Sequence, residues 1–320
     1  MSTSHAGPRA IPTLVGALLV LALAGGPSLC WAQAPAPVPE PPGGAAPAPD
    51  TALRGPFGSP SPAWFAGVEV GLFHVVNPVG TFVTRENVKM DDTAELRGEL
   101  GYRFEDGSAL RVGYRTLSTG GTGTVLFPDN GAAAPRLHFE VNSVDVDYLS
   151  GVVPGLFHDR VSFEVGLRVA SKLLESRGSD PYEGYSFHGL FVGAGPHFGL
   201  TSTLPIGESG LALFSRYDLA LVFGEERDRS ATAYLASPDP SAGYKDSRWE
   251  MATVGDATAQ FGVSWAGTLG SRFWARAALG VQLEYVGFGG QQLFEFSNDR
   301  VHPLDGLFSA GPFFRFEIAY

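Results

Sequence analysis

Two short pairs in this chain have the residue types and spacing that catalysis would use. Asp145-x-Asp147 puts two carboxylates on one face of a strand, where they could polarise a water. Ser186-x-His188 puts a hydroxyl beside an imidazole, and a histidine that accepts the proton turns a serine into a nucleophile. Neither pair is complete. The aspartates fall near the end of their strand that adjoins a short turn, the wrong side for an outward-facing dyad. No carboxylate is placed in sequence to orient His188. The sequence therefore predicts no enzyme. His74, His138, His158, His197 and His302 lie in separate segments without metal-ligand spacing. The acids of 225–250 interleave with Arg227, Arg229, Lys245 and Arg248 and lack EF-hand spacing, which reads as a solvated loop. No metal site and no cofactor are expected.

The larger set of ionisable residues is periodic. Glu95, Arg97, Glu99 and Arg103 alternate with Ala94, Leu96, Leu100, Tyr102 and Phe104. Arg111 and Arg115 alternate with Leu110, Val112 and Tyr114. Arg276, Gln282 and Glu284 alternate with Phe273, Leu279, Val281, Leu283 and Tyr285, and Arg315 and Glu317 with Phe314, Phe316, Ile318 and Tyr320. Period two means strands with one apolar and one charged face. The charged face supplies the candidate lumen lining: Arg97, Arg111, Arg115, Glu164, Arg168, Arg216, Asp218, Arg276, Glu284, Arg315 and Glu317. Glu95, Glu99, Arg103, Glu140, Asp145, Asp147, Lys172 and Asp256 are assigned to the same face. Such a face either selects solutes by local potential or fills a narrow barrel with salt bridges.

The elements that would position these charges are ten strands, at 63–76, 93–104, 108–118, 137–150, 160–174, 186–201, 210–224, 253–266, 272–286 and 307–320. Each is long enough to cross hydrocarbon when tilted, which takes about 9–11 residues. The fourth shifts frame, from Leu137, Phe139 and Val141 to Val144, Val146 and Tyr148, so a bulge is expected at Asn142 or Ser143. Long polar connections at 77–92, 119–136, 175–185, 225–252 and 287–306 alternate with mostly shorter ones at 105–107, 151–159, 202–209 and 267–271. This is the pattern of an up-and-down transmembrane β-barrel, with long loops outside and short turns in the periplasm. Outward aromatics then collect at the short-turn end as a girdle: Trp64, Phe104, Tyr148, Phe163, Phe198, Trp265, Phe273 and Tyr320.

Composition agrees with an all-β chain. It has 42 glycines among 320 residues, 12% aromatics, only 17% charged residues and a net charge of -11. Acidity argues against nucleic acid as a partner, since phosphate binding needs a basic face. Residues 1–32 read as a signal peptide: Arg9, an apolar run from Leu14 to Ala24, a break at Gly25-Gly26-Pro27 and cleavage after Ala32. Leu29 ahead of Cys30 does not suit a lipobox. Cleavage removes the sole cysteine, and with it disulfides and thiol chemistry. Residues 33–62, rich in Pro, Ala and Gly, read as a disordered periplasmic linker, and 63–320 as the barrel.

Phe191-Val-Gly-Ala-Gly-Pro196-His-Phe-Gly199-Leu-Thr201, a Pro205/Gly207 turn, Leu211-Ala-Leu-Phe214 and Ala220-Leu-Val-Phe-Gly224 resemble the central hairpin of Legionella-type major outer-membrane proteins. The likeness covers about 35 residues of glycines and apolar side chains; the Pro-rich segment ahead of the barrel departs from that family's pattern. It implies a pore-forming outer-membrane barrel. The sequence thus leads to a porin-like pore for small hydrophilic solutes, with a non-conducting surface or structural barrel acting through its loops as the alternative. Outer-membrane lipid and the barrel assembly machinery are the expected partners, and the terminal Tyr320 the expected assembly signal. Ten strands stand close to the filled limit, because eight leave just enough interior for side chains.

Overall fold

A computed structural model describes residues 63–79, 87–127, 131–133, 136–151, 161–179, 183–207, 209–234, 243–269, 273–291, 295–296, 299–300 and 304–320. The expected signal peptide and linker lie outside these residues. Among the described residues no helix is long and apolar enough to cross a membrane.

Ten strands run in chain order: β1 (Ala63–Val79), β2 (Thr93–Arg103), β3 (Ala109–Phe127), β4 (Arg136–Leu149), β5 (Val161–Ser179), β6 (Glu183–Pro205), β7 (Leu211–Tyr234), β8 (Gly243–Leu269), β9 (Phe273–Gln291) and β10 (Leu304–Ala319). Each pairs antiparallel with its neighbour in sequence. β10 then returns to β1, with Phe65 opposite Ala319, Val68 opposite Phe316 and Gly71 opposite Phe313. The Tyr320 amide extends this seam by donating to the Trp64 carbonyl at 2.9 Å. The sheet is a closed barrel without a free edge, which satisfies every ladder group where no water is present to do so. A short strand at Asn87–Met90 adds to the far part of β3.

Local chemistry sets the turns. Between β2 and β3, Gly107 takes φ 81°, a left-handed conformation that glycine adopts without strain. The Asp106 carboxylate accepts from the Ser108 amide at 2.9 Å and the Ser108 hydroxyl at 2.6 Å. These hydrogen bonds hold the Asp106 carboxyl below the usual carboxylate range.

The barrel has the reverse polarity of a water-soluble one. Leu72, Leu96, Leu167, Leu219, Leu279 and Phe314 are among many large apolar side chains exposed on its outside. The eight aromatics of the expected girdle are all exposed at the short-turn end, Trp64 at 57% and Tyr320 at 67%. Phe273 and Tyr320 pack ring to ring at 5.3 Å, as do Trp64 and Tyr102 at 5.1 Å. The charges, meanwhile, are buried inside. Such an exterior is stable in hydrocarbon and not in water, so the fold is that of a membrane-embedded β-barrel.

Three expectations are corrected. First, β4 has no bulge: its register to β3 and β5 runs unbroken through Asn142 and Ser143. Leu137, Phe139 and Val141 point inward with Ser143, Asp145 and Asp147, while Glu140 points outward, beside Asn142, whose amide donates to it at 2.7 Å. The apolar residues change face because the strand leaves the membrane. Above the hydrocarbon the outside meets water and the inside becomes the dry side. Second, much of the expected loops at 175–185 and 225–252 is strand. β7 and β8 pair continuously from Leu211–Trp265 out to Ala233–Gly243, a ribbon reaching past the apolar belt. Third, the register breaks fall elsewhere, between Val75 and Pro78 and between Gly287 and Gln291.

Candidate functional site

The barrel interior is the place where this fold concentrates chemistry, and it has three levels. At the short-turn end Ala63, Phe65, Ala109, Trp274 and Ala319 form an apolar floor, with the Arg103 guanidinium stacked 5.4 Å from Phe65 and 5.8 Å from Trp274. At the long-loop end Phe73, Val75, Leu117, Leu137, Phe139, Val141, Leu174, Phe187, Val286 and Leu307 meet across the lumen as an apolar plug. Phe191, Val222 and Val254 form a separate apolar cluster over β6–β8. Between the two lies the charged layer.

All eleven lumen candidates read from the sequence point into this layer, and all are buried or nearly so. The layer holds nine cations, Arg97, Arg103, Arg111, Arg115, Arg168, Lys172, Arg216, Arg276 and Arg315. Against them stand ten carboxylates, Glu69, Glu95, Glu99, Asp145, Asp147, Glu164, Asp218, Asp256, Glu284 and Glu317. Near-balance is what burial demands, since an unpaired charge away from water costs several kcal/mol.

Alternation along each strand aims these side chains, and small residues give them room. A Cβ on inward-facing Gly166 would overlap the Asp147 carboxylate, and one on Gly67 would meet Glu99. Arg111 is the hub. It donates to Asp147 at 2.8 Å and to Glu164, and reaches Glu99 at 3.5 Å. Arg216 joins Glu164 at 3.3 Å and Asp218 at 3.1 Å. Arg168 grips Asp145 with two bonds of 2.7 and 2.8 Å. Arg115 pairs with Glu95 at 3.0 Å and with Glu284. Arg315 donates to Glu99 at 2.5 Å. Lys172, fully buried, donates to Asp256 at 2.5 Å and to the Gly287 carbonyl at 2.9 Å.

Sequence reasoning missed several members. Glu69 accepts from Gln260 at 2.8 Å, and Gln260 also donates to Gln282 at 2.6 Å. Glu69 was readable from Val68, Val70 and Leu72, whose outward parity forces it inward. His197 lies with Asp147 at 2.8 Å from Nδ1 and Asp218 at 3.6 Å from Nε2. Glu164 is 3.6 Å from Nδ1. The fold thus gathers one histidine and three carboxylates from four strands, which no spacing in the sequence announced. Arg111 and Arg216 already pair with the acids of this cluster, which makes it part of the ion-pair network.

The two catalytic pairs fare differently. Asp145 and Asp147 are tied to Arg168, Arg111 and His197 inside the barrel, Asp147 buried and Asp145 half-buried. Ser186 and His188 face outward, and the carboxylate the sequence lacked is supplied by Glu175, directly across from His188 and 3.8 Å from its Nε2. Among the described residues Ser186 makes no hydrogen bond to His188, so the hydroxyl is not aligned for activation.

Among the described residues, two cavities in the charged layer measure about 40 Å³ each. A water needs roughly 10–15 Å³, so each admits a few waters and nothing the size of a solute.

A closed ten-stranded barrel with a lipid-facing exterior and an ion-paired interior defines the class: a membrane β-barrel. No family model matches the chain, and no curated protein matches it in sequence. Solved structures similar to it include the outer membrane protease OmpT from Escherichia coli, at 10% identity over 82% of this chain and 98% of that one, with a TM-score of 0.44. The Pseudomonas putida toluene transporter TodX is similar at 9% identity, covering 82% and 90%, TM-score 0.33. A Pseudomonas aeruginosa FadL homologue is similar at 9%, covering 81% and 90%, TM-score 0.23. Likenesses of this degree transfer no activity.

Proposed function

We propose that the protein is a bacterial outer-membrane barrel whose lumen does not conduct, and that it acts as a structural or surface-exposed barrel through the hairpins it raises at the long-loop end. One observation carries this reading: the interior is filled, with a nearly neutral ion-pair layer between an apolar floor and an apolar plug. The porin-like alternative draws on the charged lumen and on the hairpin of β6 and β7 that resembles Legionella-type major outer-membrane proteins. It requires a continuous water path, and the two charged-layer cavities of about 40 Å³ are too small to form one. An enzyme is disfavoured because Asp145 and Asp147 are neutralised and Ser186 is unaligned.

Single-channel recording decides between these readings. The purified full chain in planar bilayers is expected to show no unitary current steps. Reproducible steps of one size from the wild type would restore the porin-like pore.

In this reading the short turns and the C-terminus face the periplasm, and Tyr320 is the signal for the barrel assembly machinery. Its ring is exposed beside Phe273, and its amide closes the seam to β1. An outward amphipathic ring at the headgroup level is favoured there. Deleting Tyr320, or replacing it with Asp, lowers the yield of heat-modifiable folded barrel in the outer membrane, with unassembled chain degraded or held in the periplasm. An unchanged yield would remove Tyr320 as an assembly signal.

A further inference from the structure

At the long-loop end, the outward face of β4–β8 carries a group of cations in a protein that is acidic overall. Arg136 of β4 and Arg177 of β5 stand directly opposite one another across the ladder. Two strands along, Arg229 of β7 stands opposite His188 of β6. All three arginines are exposed, and none forms an ion pair among the described residues. The acids on the same surface are already engaged. Glu140 accepts from Asn142 at 2.7 Å, Glu175 lies 3.8 Å from His188, and Glu225 accepts from Arg227 at 3.3 Å.

Like charges directly opposite in an antiparallel pair destabilise it. Arg136 and Arg177 therefore repel each other unless an anion lies between them. The level of the patch indicates which anion. Below it on the same face lie Leu173 and Leu190, half-buried, and Phe223, exposed. Beside it, Trp249 is 58% exposed with the Arg227 guanidinium 3.9 Å over its ring. An exposed tryptophan at the top of an apolar belt marks the interface between hydrocarbon and headgroups, and guanidinium pairs are matched to phosphate oxygens.

We propose that this rim, centred on Arg136, Arg177 and Arg229, binds the phosphorylated headgroup of an outer-leaflet lipid. The proposal rests on the outer-membrane reading with the long-loop end outside. A soluble phosphate would gain nothing from a site bordered by outward apolar side chains, whereas a lipid places its phosphate there and its chains along the belt.

The test uses the full chain folded in phosphatidylcholine vesicles doped with diphosphorylated lipid A or with phosphate-free lipid A, followed by extraction and native mass spectrometry of retained lipid. The wild type retains the phosphorylated form preferentially. Arg136→Gln/Arg177→Gln loses that preference, roughly thirtyfold if each arginine near the surface contributes about 1 kcal/mol. Arg248→Gln, on the opposite face and paired with Glu250, keeps it. Equal retention of both lipids, or equal retention by wild type and double variant, overturns the proposal. Displacement by excess inorganic phosphate assigns the site to free phosphate and overturns the lipid source. Failure of the outer-membrane reading is seen separately: the chain then gives no heat-modifiable species even in undoped vesicles.

Discussion

Leu279→Arg prevents the barrel from assembling. Leu279 is 62% exposed on the outside of β9, in register with Val263 of β8 and Phe314 of β10. Its neighbours along the strand on that face, Ala277 and Val281, are apolar too. An arginine near the bilayer midplane on the lipid face of a barrel costs about 2–4 kcal/mol, a large share of a total stability of roughly 5–15 kcal/mol. The expected result is loss of the heat-modifiable band, with Leu279→Val behaving as the wild type. Assembly of the arginine variant at normal yield would show that this face does not meet lipid. The inward face of β9 offers no tolerant counterpart. Gln282 is completely buried and accepts from Gln260, so an arginine there fails by overpacking. The sequence alone suggests that Gln282→Arg is tolerated, because alternation distinguishes inside from outside but says nothing about how full the inside is.

Arg111→Met destabilises the folded barrel by about 3–5 kcal/mol, the usual cost of removing one partner from a buried ion pair. The side chain bridges Asp147, Glu164 and Glu99, and all three lose a cation at once. Methionine keeps most of the volume, so the loss measures charge rather than packing. The readout is the denaturant midpoint for unfolding from vesicles. Adding Glu164→Gln to Arg111→Met recovers part of the loss by removing one of the negative charges left in excess. A single variant with the wild-type midpoint would show that the network does not hold the interior together.

Much of the fold is legible in the sequence, for a physical reason. A strand between hydrocarbon and a packed polar interior must alternate, so parity alone identifies the ten strands, the aromatic girdle and the direction of all eleven lumen candidates. What parity does not record is where pairing stops. β7 and β8 continue past Gly224 and Thr253 because a hairpin above the membrane needs only backbone hydrogen bonds, and its Glu225, Arg227 and Arg229 look like loop residues. Parity also assumes one solvent on the outside. Leu137, Phe139 and Val141 violate that assumption, and a lipid-facing reading of them demands a bulge that does not exist. The site was legible as a list and not as a map. His197 meets Asp147, Glu164 and Asp218 through contacts spanning three other strands, and Glu175 reaches His188 across a ladder whose register no local motif reveals.

The change of face along β4 means that one strand obeys two opposite codes of substitution. From Val144 to Tyr148, outward positions require apolar side chains and inward positions carry Asp145 and Asp147. From Arg136 to Asn142, outward positions accept polar side chains freely and inward ones must stay apolar. The backbone register never shifts, so the inversion belongs to the surroundings. The tolerance profile of β4 therefore reverses phase near Asn142 and Ser143, and the position of that reversal marks the upper boundary of the bilayer on the chain itself.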